Sequence, residues 1–333
     1  MATPAYNTPV AIATAYILDQ MTYQFQDANF LSYHYFNEKR GLVEAQNGLN
    51  IQVPLMLGEG TNAQMTAGDA TAVYSLNVQD NASQAVFNWK FFNNAAVFTL
   101  AEMTMAGDGP NSVLDIVKVK SDDAVEQTVN FFASAIYGSG SDSGGQAFDG
   151  LGSVGAASGT AYGGITNTSA GYERWLTEID TTTNVANYAN ISRFINLINS
   201  KSRRRSDKLD IMVSNYACRQ DFQRSQQGQQ NYYNTQTLEA GFVGDFIKVD
   251  GIRWYIDEFC PGSKDAATDD NFIYFLSTDT LKFYRRFGFG KKSPMDTEQV
   301  LPNQPIKIAV NNVAGNFVCT KRNSNGVMKN IIA

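Results

Sequence analysis

The chain has 333 residues, of which 43% are hydrophobic, 17% charged and 12% aromatic, and its formal net charge is −6. That composition can fill a sizeable core and excludes global disorder, while the negative balance excludes a protein that holds polyanions by overall charge. No apolar run approaches the ~18 residues of a membrane span, and the start MATPAYNTPVAIATAY lacks the basic opening and long apolar core of a signal peptide, so no membrane partner is expected.

Residues 1–37 read as an N-terminal arm. Ile12, Tyr16, Ile17 and Met21 trace a short helical pattern, and then Tyr23, Phe25, Phe30, Tyr33, Tyr35 and Phe36 crowd together. So much aromatic surface needs a cover, either the body of this chain or a neighbour. The single histidine, His34, lies in this cluster. Any histidine-based catalysis or metal site would have to use it, and a histidine among aromatics reads as a packing residue.

A hairpin follows. LNIQVPL alternates strictly, with Leu49, Ile51, Val53 and Leu55 on one face and Asn50, Gln52 and Pro54 on the other. Pro54 argues for an edge position. Residues 56–72 read as a polar, flexible tip, and VYSLNV and AVFNWKFF as the returning strands. Two strands with a long loop are marginal alone in water, so the apolar face is expected to want an external partner.

The strongest helical pattern runs from Pro110, with Asn111 or Ser112 as cap, to a stop at Gly138. Val113, Ile116, Val117, Lys120, Ala124, Gln127, Phe131 and Ala135 trace one stripe, thickened by Val125, Val129, Phe132 and Ile136. About 26 residues at 1.5 Å each predict a helix roughly 40 Å long.

Residues 138–171 hold eleven glycines, among them Gly150, Gly152 and Gly155 in a formal G-x-G-x-x-G. A dinucleotide site needs a strand before that pattern, a helix opening on its third glycine and an acidic residue about 20 positions on. GSGSDSGGQAFDG is no strand and AASGTAYGGITNTSAG no helix former, and only Glu173 falls at a tolerable distance. The match reads as a product of glycine density, and no cofactor is expected.

Beyond it the chain turns mixed. NYANISRFINLINS and NYACRQDFQRSQQ read as helices and KLDIMVSN as a buried strand; FIKVDGIRWYID, NFIYFLST, LKFYRRFGF, QPIKIAV and GNFVCTKR read as strands. The dense basic run Lys201–Lys208, with Arg203, Arg204 and Arg205, follows a helix, where cations complement the dipole. It reads as a solvated helix end, or as a charge contact to another subunit or a phosphate. Cys218, Cys260 and Cys319 are odd in number and far apart, so they fit neither a disulfide framework nor a zinc site and read as reduced packing thiols. Glu59 with Asp69, and Asp122 with Asp123, could pose as paired carboxylates but lack a partner base. No catalytic motif survives. What survives is a shape with an arm and a hairpin, parts suited to interlocking with further copies.

That order of parts resembles the major capsid proteins of tailed bacteriophages, with the Hong Kong 97-like fold. Phe87–Lys120 resembles the family's hairpin return, strand and the start of its spine helix. Phe148–Trp175 resembles the segment after that helix, with Gly150, Leu151, Gly163, Gly164, Ile165 and Trp175 in the family's Gly-Leu, Gly-Gly-Ile and tryptophan places. Gly315–Met328 resembles its C-terminal strand pair. Where the family often has a paired tryptophan and an Arg-Pro-Arg-type segment, this chain has Arg174-Trp175 and Thr320-Lys321-Arg322.

The resemblance implies an α+β fold with an N-terminal arm (1–37), an E-loop hairpin (38–95), a P-domain strand and spine helix (96–146), a mixed A-domain (147–280) and C-terminal strands (281–333). It implies a structural shell protein of the virion, made in the host cytoplasm, not an enzyme. Such a protein forms hexamers and pentamers around double-stranded DNA, with a portal, a scaffolding protein and decoration proteins as partners. The expected inter-subunit contacts are Phe30, Tyr35 and Phe36 of the arm and Leu49, Ile51, Val53 and Leu55 of the hairpin. Gly163 and Gly164 are expected to make a structural turn, and Arg203, Arg204 and Arg205 charge contacts. With the hairpin beginning within about 40 residues of Met1, the scaffold is expected to be a separate protein or absent, without cleavage of this chain. Some relatives crosslink a hairpin lysine to a neighbour; no lysine lies between Arg40 and Lys90 here, so noncovalent locks are expected. An encapsulin-like shell around a protein cargo is the first alternative, and a nucleotide-binding enzyme using Gly150–Gly155 the second.

Overall fold

The computed structural model describes residues 30–31, 41–44, 48–56, 82–99, 120, 123–124, 127–128, 130–169, 172–183, 185–202, 208–225, 247–262, 271–287, 299–300 and 306–331. His34, Tyr35, Phe36 and Arg203–Arg205 lie outside them, as do the hairpin tip and the first half of the expected long helix.

After β1 (Leu42–Glu44), the alternating segment forms β2 (Asn50–Met56), which pairs antiparallel with β3 (Ala82–Asn88) from Asn50↔Asn88 to Met56↔Ala82. The period-2 pattern sets the faces: Ile51, Val53 and Leu55 are buried, with Ala85 and Phe87 beside them, while Asn50, Gln52, Pro54 and Met56 are exposed. This corrects the expected bare hairpin, because its apolar face is covered by the same chain. Leu49, expected on that face, precedes the paired region and is 92% exposed. The hairpin pairing also ends at Asn88, and the continuation β4 (Lys90–Thr99) leaves it for another sheet.

Residues 130–136 form a helix, α1, and helical residues recur upstream at 120, 123–124 and 127–128. The buried line runs Thr128, Phe132 and Ile136 at four-residue spacing, whereas Phe131 is 41% exposed. The expected stripe through Phe131 was therefore rotated. Phe132 meets Phe92 of β4 edge-on at 5.0 Å and stacks on Phe148 at 5.4 Å, and Phe131 lies at the rim of that contact.

The one-turn helix α2 (Leu151–Val154) explains the glycine motif. A Cβ on Gly150 would fall 2.3 Å from the carbonyl oxygen of Ile136, and one on Gly152 2.9 Å from those of Tyr137 and Gly138. The first two glycines let α2 sit directly on the carboxyl end of α1. Their role is backbone packing, with no bound pyrophosphate needed to account for it.

Next come β5 (Glu178–Asp180), α3 (Tyr188–Lys201), β6 (Ile211–Ser214), α4 (Tyr216–Ser225), β7 (Ile247–Val249), β8 (Ile252–Ile256) and β9 (Asn271–Leu276). Asn187 caps α3 by accepting from the Asn190 amide at 2.8 Å. The last strands are β10 (Leu281–Phe287), β11 (Gln299–Val300), β12 (Ile306–Cys319) and β13 (Gly326–Ile331). Two expected strands, QPIKIAV and GNFVCTKR, thus merge into β12, the longest strand described. FIKVDGIRWYID instead splits into β7 and β8, because Asp250 (φ 50°) and Gly251 (φ 84°) turn the chain between them.

A six-stranded sheet runs β5-β13-β9-β6-β8-β7, and a five-stranded sheet runs β1-β10-β12-β11 with β4 also on β12. Between β9 and β10 the chain passes from one to the other at Ser277–Thr280. One face of the six-stranded sheet (Met212, Trp254, Ile273, Phe275, Met328) buries α3 and α4. The opposite face (Ile211, Val213, Tyr274, Leu276, Val327) joins a larger core with the hairpin, α1 and the five-stranded sheet. Cys218, Cys260 and Cys319 are buried free thiols.

Gly150→Ala puts a methyl against three carbonyl oxygens within 2.8 Å, and no flexible side chain can yield. A loss of about 1–3 kcal/mol is expected, read as a lowered denaturation midpoint with an unchanged slope.

Candidate functional site

The hairpin is held at one place. Tyr162 and Ile165 bridge each other around Gly163 (φ 60°) and Gly164 (φ 78°), both left-handed, as the expected turn requires. The Gly163 carbonyl accepts from the Val86 amide at 2.9 Å, so the turn docks on the outer edge of β3. The contact is close: a Cβ on Gly163 would lie 2.7 Å from the Phe87 ring and 2.8 Å from the Ala85 methyl. Nothing lies within 4 Å of the same position on Gly164. Phe87 meets the Tyr162 ring edge-on at 5.0 Å.

Behind the turn, Tyr162 is locked from three sides. Its carbonyl accepts from the Trp175 indole at 3.0 Å, its hydroxyl accepts from the Cys319 amide at 2.8 Å, and the Arg322 guanidinium lies 5.0 Å over its ring. Arg322 is 1% exposed. It donates to the carbonyls of Val154 at 2.8 and 3.2 Å and of Trp175 at 3.1 Å. Among the described residues no carboxylate pairs with it. Burial pulls its pKa down, opposed by nearby Cys319 and Tyr162. Burial likewise pushes the Cys319 thiol up to about 11. One cation therefore ties α2, Trp175 and the 3₁₀ turn Arg322–Ser324 behind the docking turn.

The expected site residues divide. Ile51, Val53, Leu55 and Phe30 are brought together inside the core. Phe30 stacks on Tyr255 at 3.6 Å, so this part of the arm covers its own body. Those four side chains are not open to a neighbour, which corrects their assignment as contacts, because the turn and the sheets already cover them. Leu49 and Met56, at the two ends of β2, are 92% and 86% exposed. Met56 was missed although it continues the strand's outward face. Tyr162, Phe87 and Arg322 were missed as parts of one site; alternation through AVFNW could have turned Ala85 and Phe87 inward, but nothing local announces a buried arginine.

The chemistry offered elsewhere is sparse. Among the described residues no group of three His, Cys, Asp or Glu side chains could hold a metal, and no helix is long and apolar enough to cross a membrane. An open groove of about 470 Å³ is lined by Glu178, Ile179, Asp180, Arg193, Phe194 and Leu197. Burial pushes the Asp180 pKa up, but hydrogen bonds from Thr182 and Thr183 outweigh it and hold the carboxyl at about 2. That is a turn-forming carboxylate, already saturated.

The hairpin test is direct. Gly163→Ala should cost about 1–2 kcal/mol for left-handed backbone and about 1–3 kcal/mol for the forced shift of Ala85 and Phe87. Gly164→Ala should cost only the first amount. Limited proteolysis should cut the hairpin faster in the Gly163 variant alone.

No protein-family model matches the chain, and no curated protein matches its sequence. Solved structures do match in fold. The chain is similar to the capsid asymmetric unit of cyanophage A-1(L), at 16% identity and a TM-score of 0.65, over 88% of this chain and 91% of that one. It is similar to the capsid of a native GTA particle at 12% identity and a TM-score of 0.55, over 87% and 88%. It is also similar to the SrpI encapsulin of Synechococcus elongatus PCC 7942 at 9% identity and a TM-score of 0.53, over 89% and 87%. With close to nine-tenths of each chain superposed at so low an identity, what is common is the arrangement of sheets and helices: this chain has the fold of the phage capsid subunits.

Proposed function

We propose that this chain is a major capsid protein, a structural subunit that assembles with copies of itself as hexamers and pentamers into an icosahedral shell around double-stranded DNA. The observation that carries the reading is the fold match to the cyanophage capsid over 88% of the chain. A portal, a separate scaffolding protein and decoration proteins are the further partners of this reading. The encapsulin match supports a second one, a shell of the same fold around protein.

In this role the hairpin has two sides. Its apolar side binds its own chain at Gly163. Leu49, Met56 and the outward row Asn50, Gln52 and Pro54 are left to a neighbouring subunit. Tyr35 and Phe36 of the arm join that contact, and Arg203, Arg204 and Arg205 provide charge contacts between subunits. The locks are noncovalent. Lys90, the first lysine after Arg40, donates to the Gly145 carbonyl of its own chain.

Electron microscopy of the assembled protein should show closed shells, and nuclease-treated shells should release double-stranded DNA on denaturation. Monomers only would refute the shell, and shells filled with one protein would select the second reading. Boiling the particles in denaturing detergent should give one band near 36.6 kDa. A ladder of dimers to hexamers that survives boiling and reductant would overturn the noncovalent locks.

A further inference from the structure

The two edges of the hairpin are treated differently. On β3, the Val86 amide points away from β2 and donates to the Gly163 carbonyl at 2.9 Å, so the chain's own turn meets that edge. The same bond fixes the parity of the ladder. In an antiparallel pair each residue turns both its N–H and its C=O either toward the partner strand or away from it, and the residue opposite does the same. Gln52 lies opposite Val86, so the Gln52 backbone points outward. By alternation Asn50, Pro54 and Met56 also point outward, while Ile51, Val53 and Leu55 turn theirs to β3. Among the described residues no strand lies on the outer edge of β2.

An open edge in this segment is a hazard. Between Glu44 and Glu59 no residue is charged, and β2 carries the apolar row Ile51, Val53 and Leu55. Such a run adds further strands unless a charge or a proline interrupts it. Charge is absent, and the one proline in the run, Pro54, falls on an outward position. It therefore removes an outward N–H without removing any ladder bond to β3, and its ring carbon stands where that hydrogen would be. Outward donors remain at Asn50 and Gln52 on one side and Met56 on the other, so an incoming strand finds the row broken in its second half. The same ring holds Val53 in the extended region that β2 requires.

We propose that Pro54 guards the outer edge of β2 against strand addition by the hairpin of a second copy. Copies then meet this hairpin through its exposed side chains and not through its backbone edge. The guard acts on any two copies in solution, whatever they later build. Position decides the effect: a proline at Val53 or Leu55 would break the ladder to β3, whereas one at Gln52 would block the outer edge as Pro54 does.

The test compares three full-length chains at matched concentration: wild type, Pro54→Thr, and the double variant Gln52→Pro with Pro54→Thr. Threonine restores the outward N–H on a strand-favouring residue, and the second proline removes the neighbouring outward N–H in its place. The readout is pelleted protein that binds thioflavin T and lacks shell form in electron micrographs. It should rise several-fold in Pro54→Thr and return to the wild-type level in the double variant. A Pro54→Thr chain that pellets no more than wild type would overturn the guard. So would pelleting as heavy in the double variant as in the single one, which would trace the association to a misfolded body and not to the edge.

Discussion

The hairpin packs against its own chain because one position has no side chain. Gly163 brings its backbone within van der Waals contact of Ala85 and Phe87 and gives its carbonyl to the edge of β3. Any Cβ there would force the two apart, and the left-handed backbone adds a second reason for glycine. The turn is rigid because Tyr162 beside it is fixed by Trp175, Cys319 and the buried guanidinium of Arg322. Among the described residues no carboxylate pairs with that charge, and hydrogen bonds to backbone carbonyls offset the cost of burying it only while α2, Trp175 and the Arg322 turn keep their places. Hairpin position is thus coupled to the meeting point of both sheets.

This arrangement gives the hairpin distinct inner and outer faces. Burying Ile51, Val53 and Leu55 contributes about 1.5–3 kcal/mol for each large side chain fully removed from water, a sum that a two-stranded hairpin in solvent would lack. The outer row of β2 carries Asn50, Gln52 and Pro54, with the exposed Leu49 and Met56 at its ends. The hairpin thus stays folded on its own chain and still exposes a defined row of side chains. The long pairing of β4 with β12, from Lys90↔Gly315 to Thr99↔Ile306, carries the root of the hairpin into the sheet system that α1 covers.

Much of the local structure was legible in the sequence. Strict alternation placed β2, NYANISRFINLINS was read as the helix that became α3, and KLDIMVSN as the buried strand that became β6, which is buried at every residue. The turn at Gly163-Gly164 followed from the resemblance. What failed was partnership. Alternation states which side chains share a face but not who covers it, so Ile51, Val53 and Leu55 were assigned to a neighbour when the cover was a loop about a hundred residues away in the chain. The rotation of α1 toward Phe132 came from β4 and Phe148, contacts that a helical stripe cannot foresee. The resemblance marked Arg322 only as part of a basic segment, because its partners are backbone carbonyls from distant segments. Gly150 and Gly152 carried the opposite hazard, a motif that looks like chemistry and serves close packing.

The central claim is that one hairpin face belongs to its own chain and the other to a neighbour. The most direct measurement is a reconstruction of the assembled particle by electron cryomicroscopy at a resolution that shows side chains. The account predicts Ile51, Val53 and Leu55 still seated beside Phe87 and Gly163 of the same chain, with Leu49 and Met56 against an adjacent subunit. A hairpin lifted off its own Gly163 turn, with those three side chains buried in another copy, would contradict it.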